Sequence, residues 1–239
     1  MKRRGGLLGV LLGVTLILIL IAGTVTVLAL SGKITINGIT PKKTAGRVVE
    51  VGSFNASILE VKNVVGNVSI VVGNVSDVVV KSNLPVEASI QSNILLVYCP
   101  TKTRLLGHRN VCNDYKNGTV IIEVPNGLMD TMIHDVVGSV LVAAESPMID
   151  ASDIVGNFRG LTWSFYQISD VVGNVSLNIK NSAMISDIVG DVTVRVPPGS
   201  QAIVKANDVV GKVINNASGQ NGTAEVIVND IVGDVRVEG

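Results

Sequence analysis

Two kinds of residue in this chain have the type and spacing to do chemistry: one cysteine pair and a recurring aspartate. Cys99 and Cys112 are the only cysteines. In an exported chain such a pair most simply forms one disulfide. It would close the polar loop Pro100–Val111, which carries Arg104, His108 and Arg109. A loop of that size gains roughly 3 kcal/mol from reduced unfolded-state entropy. A metal pair or a thiol nucleophile is the alternative, but only His108 lies nearby and no second ligand pair is visible. The aspartate recurs at Asp135, Asp153, Asp170, Asp187, Asp208 and Asp230, each two residues ahead of a Val-Gly. Stacked carboxylates could line up a row of Ca²⁺ ions, or each could cap a turn by accepting backbone N–H bonds. The usual Gly/Asp-rich calcium phrase is missing and one copy carries Lys212 instead of an acid, so turn capping is expected. No metal or cofactor is assigned.

Other reactive groups are sparse. His108 and His134 are the only histidines, and His134 stands just ahead of a repeat aspartate. Glu123 and Glu145 have no evident carboxylate partner, and no nucleophile elbow, phosphate loop or His-Glu-x-x-His site is present. No catalytic residue is assigned, and a non-enzyme is expected. Trp163, Phe165 and Tyr166 form the only aromatic cluster. Packing in a bulged strand is the plainer role for it, and a stacking platform for a sugar the sharper one.

The elements that position these residues follow from the repeat. The glycines of the Val-Val-Gly or Ile-Val-Gly phrase fall at Gly138, Gly156, Gly173, Gly190, Gly211 and Gly233, stepping by 18, 17, 17, 21 and 22 residues. Earlier copies at Gly66 and Gly73 lack the leading Asp. A period near 20 marks a repeat architecture in which each unit buries its apolar face against its neighbours. After Gly190-Asp191, Val192, Val194 and Val196 alternate with Thr193 and Arg195, the pattern of a half-buried strand. Glycine supplies the bend because it accepts φ > 0. The expected fold is all-β: a repeat β-solenoid, β-helix-like, of about seven coils, over residues 33–239. The stretch 81–123 departs from the repeat and reads as an irregular or hairpin insertion.

The first residues carry a different message. Lys2, Arg3 and Arg4 precede an uncharged stretch over residues 5–32. Its apolar part, Leu7–Leu30, spans about 36 Å as a helix, enough for a bilayer core of about 30 Å. The expectation is a cytoplasmic basic tail at 1–4, one N-terminal transmembrane signal-anchor helix at 5–32, and the bulk outside. A cleaved signal peptide ending near Ala29-Leu30-Ser31 and a pilin-type leader cut near Gly5 or Gly6 are the rivals. Setting aside the three leader cations leaves 16 Lys and Arg against 19 Asp and Glu. That balance argues against a nucleic-acid binder. Asn-x-Ser/Thr sequons suit an outward-facing chain. Asn117 is the foremost glycosylation candidate, with Asn55, Asn216 and Asn221 next; Asn67, Asn74 and Asn174 lie close to strands.

Two phrases carry a family resemblance: Val124-Pro125-Asn126-Gly127 leading to Gly138, and Val196-Pro197-Pro198-Gly199 leading to Gly211. With the closing segment Asp187–Val237 they resemble the "putative adhesin" and toast-rack β-solenoid domains of envelope proteins, over roughly residues 45–239. The resemblance implies a flattened β-helix on a membrane anchor, with roles in adhesion, envelope organisation or sensing and no catalytic set. The expected function is a single-pass surface protein in adhesion or envelope scaffolding. The alternatives are a sensor acting through a membrane partner, since the tail is too short to be an effector, and a filament subunit. Expected partners are the membrane, a surface polysaccharide or protein ligand, and further copies paired through exposed ends. Val235–Glu238 has nothing evident after it to cover its edge.

Overall fold

The computed structural model describes residues 42–104, 107–126 and 129–239. The basic tail, the apolar stretch 5–32 and the leader cleavage sites lie outside the described residues. Among the described residues no helix is long and apolar enough to cross a membrane. The described chain is all-β, with one short 3₁₀ turn at Val111–Asp114.

Two parallel ladders run side by side, and each repeat contributes one rung to both. An upstream strand leads to the Val-Gly corner and a downstream strand leaves it. The upstream ladder stacks Ile94–Tyr98, Ile58–Val65, Asp130–Val137, Met148–Val155 and the later halves of Phe158–Val172 and Val175–Val189. It ends with Thr223–Val232 and then Gln201–Val210. The downstream ladder stacks Thr119–Val124, Asn67–Val72, Val140–Ala143 and the first parts of Phe158–Val172 and Val175–Val189. It continues through Val192–Arg195 and Val235–Glu238 to Val213–Asn215.

The order of the last rungs therefore departs from sequence order. The rung of Asp230 is inserted between those of Asp187 and Asp208, and the chain's final strand is covered on both sides. Among the described residues the edge left open belongs to the earlier rung, from Ile203 to Val210 with Val213–Asn215; its start is covered, Gln201 bridging Ser218 and Ala202 N donating to Ala217 O at 3.2 Å.

Burial follows the strand alternation, with one deliberate slip. In Val175–Val189, Ile185 and Ile188 both face inward, with 1% and 0% of their surface exposed. Three residues separate them where strict alternation allows two or four. Asp187 takes φ +56°, a left-handed conformation that adds one residue and returns the next valine or isoleucine to the core. Every repeat aspartate does the same, with φ between +50° and +54° at the other five. Asp and Asn tolerate that region better than other non-glycine residues.

The first end of the stack is closed by antiparallel strands. Glu87–Gln91 pairs with Ile94–Tyr98, Val78–Ser82 with Thr119–Val124, and Val49–Phe54 with Val78–Ser82. The stretch 81–123 thus supplies two ladder strands as well as the hairpin Thr101–Arg104/Gly107–Asn110. The copies lacking Asp also resolve. Gly66 is a true corner, with Asn63 at φ +54° in the aspartate position. At Gly73 the chain leaves the stack instead: its N–H donates to the Val124 carbonyl at 2.9 Å, and no corner forms.

Candidate functional site

The corner is the element that repeats most strictly. Its seven glycines, from Gly66 to Gly233, have φ between +148° and +158°. Each lies so close to the corner before it that a Cβ on Gly138, Gly156, Gly173, Gly190, Gly233 or Gly211 would run into that corner's carbonyl oxygen. Backbone hydrogen bonds stitch the corners together. Gly156 N donates to Val172 O, Gly173 N to Val189 O and Gly190 N to Val232 O, each at 2.9 Å, and Gly233 N to Val210 O at 3.0 Å.

The residue after each glycine builds a second line. Asn157 Oδ1 accepts from Asn174 N at 2.9 Å, and Asn174 Oδ1 from Asp191 N at 3.0 Å. Asp191 Oδ1 accepts from Asp234 N at 2.9 Å, and Asp234 Oδ1 from Lys212 N at 3.0 Å. Asn67 Oδ1 makes the same kind of bond, accepting from Ser139 N at 3.0 Å, but among the described hydrogen bonds none joins the Ser139 side chain to Asn157 N. The line runs one way along the stack and stops at Lys212, whose side chain can only donate.

Turn capping therefore falls to the residue after the glycine and not to the leading aspartate. Among the described hydrogen bonds no repeat aspartate accepts a backbone N–H; Asp153 accepts only from Ser152 Oγ, at 2.9 Å. The leading aspartate is present for its backbone conformation, which leaves its carboxylate exposed. The six form a column in the order Asp135, Asp153, Asp170, Asp187, Asp230, Asp208, neighbours about 4.8 Å apart. Two residues on, a parallel column of outward valines is about half exposed at Val137, Val155, Val172, Val189 and Val232, rising to 70% at Val210. Among the described residues no group of His, Cys, Asp or Glu is arranged to hold a metal ion.

Cys99 and Cys112 form a disulfide with a Cα separation of 5.9 Å. Asn63, in the second rung, ties the bridged loop to the stack. Its Nδ2 donates to Cys99 O at 2.9 Å, and Asn110 Nδ2 donates to its O at 2.6 Å and Oδ1 at 2.9 Å. Arg109 pairs with Asp114, and His108 Nδ1 is 3.5 Å from Thr103 Oγ1. His134 Nδ1 is 3.1 Å from Ser152 Oγ on the next rung. Glu123 pairs with Lys81 at 2.5 Å.

The aromatic cluster divides. Tyr166 is fully buried, its ring edge-on to Phe158 at 6.4 Å, and its hydroxyl donates to Thr162 O at 2.8 Å. Burial pushes its pKa above the ordinary value of 10.0, partly opposed by the hydroxyl's hydrogen bonds. It occupies the space a Cβ on Gly160 would need, and the ladder register shifts there. Trp163 is 38% exposed on the outside of the same irregular segment. A shallow open groove lies on the outer face of the upstream ladder, lined by Gln167, Ser169, Met184, Ser186, Ile227 and Asn229.

The sequons lie on the surface. Asn117 is exposed at φ +57°, and Asn216 and Asn221 are exposed beside the open rung. Asn55 is exposed, but its Nδ2 donates to Asp77 Oδ1 at 3.1 Å. The side chains of Asn67 and Asn174 are engaged in the corner line.

Sequence reasoning did not find the order of the last rungs. The signal was Lys212, the one corner residue after Gly66 that cannot accept for a further neighbour, which marks its rung as the end.

No family model matches this chain, and no curated protein matches it. Among solved structures it is similar to a "putative cell adhesion protein" of Clostridium sporogenes, at 16% identity and TM-score 0.38, covering 80% of this chain and 97% of that one. It is also similar to a "putative adhesin" of Bacteroides fragilis, at 14% identity and TM-score 0.37, covering 82% and 100%. A third, from Parabacteroides distasonis, has 14% identity and TM-score 0.32, covering 82% and 98%. At these values nothing those proteins bind carries over to this chain.

Proposed function

We propose that the described residues form the outward β-solenoid of a single-pass surface protein that acts without catalysis, in adhesion or envelope scaffolding. The observation that carries this reading is the periodic outer surface. Six exposed aspartates and six exposed valines run in parallel columns along the stack, a long regular face suited to contact with an extended partner. The disulfide fits an oxidising compartment, and the sequence at residues 1–32 supplies a basic flank and an apolar span. Fractionation of native membranes with intact-mass measurement tests it. The expected species is full length, membrane-bound, and heavier than the bare chain by glycan at Asn117. A shortened species in the medium would remove the anchor from this reading.

A further inference from the structure

On the outer face of the upstream ladder, polar side chains toward either end of the stack pair with one another. Lys62 pairs with Glu60 at 2.9 Å, and His134 Nδ1 is 3.1 Å from Ser152 Oγ. Asn207 Nδ2 donates to Asn229 Oδ1 at 2.9 Å, and Lys205 pairs with Glu225 at 2.6 Å. Midway along the stack this stops. Asp150 lies opposite Gln167, and Ser169 opposite Ser186. Among the described hydrogen bonds and ion pairs the side chains of these four have no partner.

The same place carries the chain's only tryptophan. Trp163, Phe165, Gln167 and Ser169 form one outward row, alternating with the inward Ser164, Tyr166 and Ile168. Met148 lies opposite Phe165 and Met184 opposite Gln167, so two thioethers flank the row. Met148 and Trp163 are each 38% exposed, and Met184 is 41% exposed. The backbone around Trp163 is pinned from both neighbouring rungs. Thr162 Oγ1 donates to Ala144 O at 3.0 Å on one side, and Asn178 Nδ2 donates to Leu161 O at 2.8 Å on the other. Tyr166 holds Thr162 O from beneath, its hydroxyl donating at 2.8 Å. The indole is thus carried on a fixed segment, which lowers the ordering cost of stacking on it. Beyond Gln167 the face opens into the shallow groove, about 210 Å³ in volume, that Ser169, Ser186 and Asn229 line.

We infer that this face binds a neutral oligosaccharide. A sugar ring has an apolar face of C–H groups and a rim of hydroxyls that both donate and accept. The rings of Trp163 and Phe165 offer a surface for the first. The Gln167 amide, the Asp150 carboxylate and the Ser169 and Ser186 hydroxyls supply donors and acceptors for the second. A purely apolar partner would leave these four groups desolvated and unpaired, which costs binding energy. An anionic glycan would bring like charge to Asp150. Sites for single small ligands are enclosed clefts; this one is open, and from Phe165 to Ser169 it runs about 13 Å, which suits a chain of sugars. This ligand class rests on the reading of the domain as a non-catalytic binding module, and where the protein resides is tested separately by fractionation.

Because Trp163 is the only tryptophan, its intrinsic fluorescence reports binding at the site. Full-length protein in a detergent without a sugar headgroup is titrated with cellotetraose, maltotetraose, xylotetraose and mannotetraose. At least one should shift the emission with a Kd of about 1 mM or tighter. Tetragalacturonate, an anionic chain of the same length, should bind at least about tenfold more weakly. Gln167→Ala, at an exposed position that does not endanger folding, should weaken the neutral ligand about fivefold. Trp163→Ala, read by ligand-detected NMR, should weaken it at least about tenfold. Lys205→Ala, on the same face outside the row, should leave the affinity unchanged. No shift with any of the four neutral chains up to about 10 mM, undiminished affinity in Gln167→Ala and Trp163→Ala, or equal or tighter binding of tetragalacturonate would each overturn the inference. Such a failure would leave membrane attachment untouched, so it is distinguishable from failure of the anchored reading.

Discussion

The two ends of the stack solve the same problem in opposite ways. At the first end, antiparallel strands cover the rung of Ile94–Tyr98 and Thr119–Val124, and a disulfide-bridged loop spans from that rung. At the last end, the rung of Asp208 keeps the repeat's chemistry, but among the described residues no further rung follows it and only its start is covered, by the bridge of Gln201 to Ser218. The same side-chain pattern gives a sealed interior in one place and a half-uncovered apolar face in the other. Local pattern sets the shape of a rung; its neighbours set how much that rung contributes to stability. Repeat architectures behave this way because each unit touches only the units beside it.

Substitutions matched between interior and end rungs measure the contrast. The largest effect should come from the corner glycines. Gly173→Val, between two rungs, collides with a fixed carbonyl and should cost more than about 3 kcal/mol or prevent folding. Gly211→Val meets the same kind of carbonyl, but its rung is free to move outward, so thermal melting should show a clearly smaller loss. Equal losses would mean the last rung is as confined as the interior.

Opening the closed end comes next. Cys112→Ser should lower stability by about 3 kcal/mol through the released loop. Hydrogen exchange should rise most in Ile58–Val65 and Ile94–Tyr98, leaving Thr223–Val232 protected. Truncation of a core valine should follow: Val228→Ala should cost about 1–3 kcal/mol, and Ala at the half-covered Val209 well under half of that by chemical denaturation.

The smallest effect is a pH dependence confined to the interior. Burial raises the pKa of Tyr166 in the folded protein above 10.0. A group with a raised folded pKa gives its full stabilisation below the unfolded value and loses it as pH rises past that value. Stability should therefore fall as pH climbs above 10. Tyr166→Phe should flatten part of that fall, and an unchanged slope would remove Tyr166 as its source.

Much of this architecture was legible in the chain. The strand alternation, the glycine corners and the cysteine pair all rest on short-range chemistry: period-two burial, φ > 0 tolerance and proximity in sequence. The role of the leading aspartate was harder to read, because capping and left-handed backbone both select Asp, and only the dihedral at Asp187 separates them. Rung order was harder still. Asp187, Asp208 and Asp230 carry nearly the same phrase, so alternation cannot say which rung stacks on which. That information sits in one residue, Lys212, which ends the line of accepting side chains that Asp234 hands to it. The exposed valine column was hidden because both valines of Val-Val-Gly look equally apolar in sequence. The left-handed aspartate turns one inward and the other out.

The rung of Asp230 separates those of Asp187 and Asp208. Cysteine pairs in the full-length protein test it directly, because Ser186 lies opposite Asn229, and Asn229 opposite Asn207. Ser186→Cys with Asn229→Cys should form an intramolecular disulfide under mild oxidation, and Ser186→Cys with Asn207→Cys should not. Formation of the Ser186–Asn207 pair in place of the Ser186–Asn229 pair would return the rungs to sequence order and contradict the account.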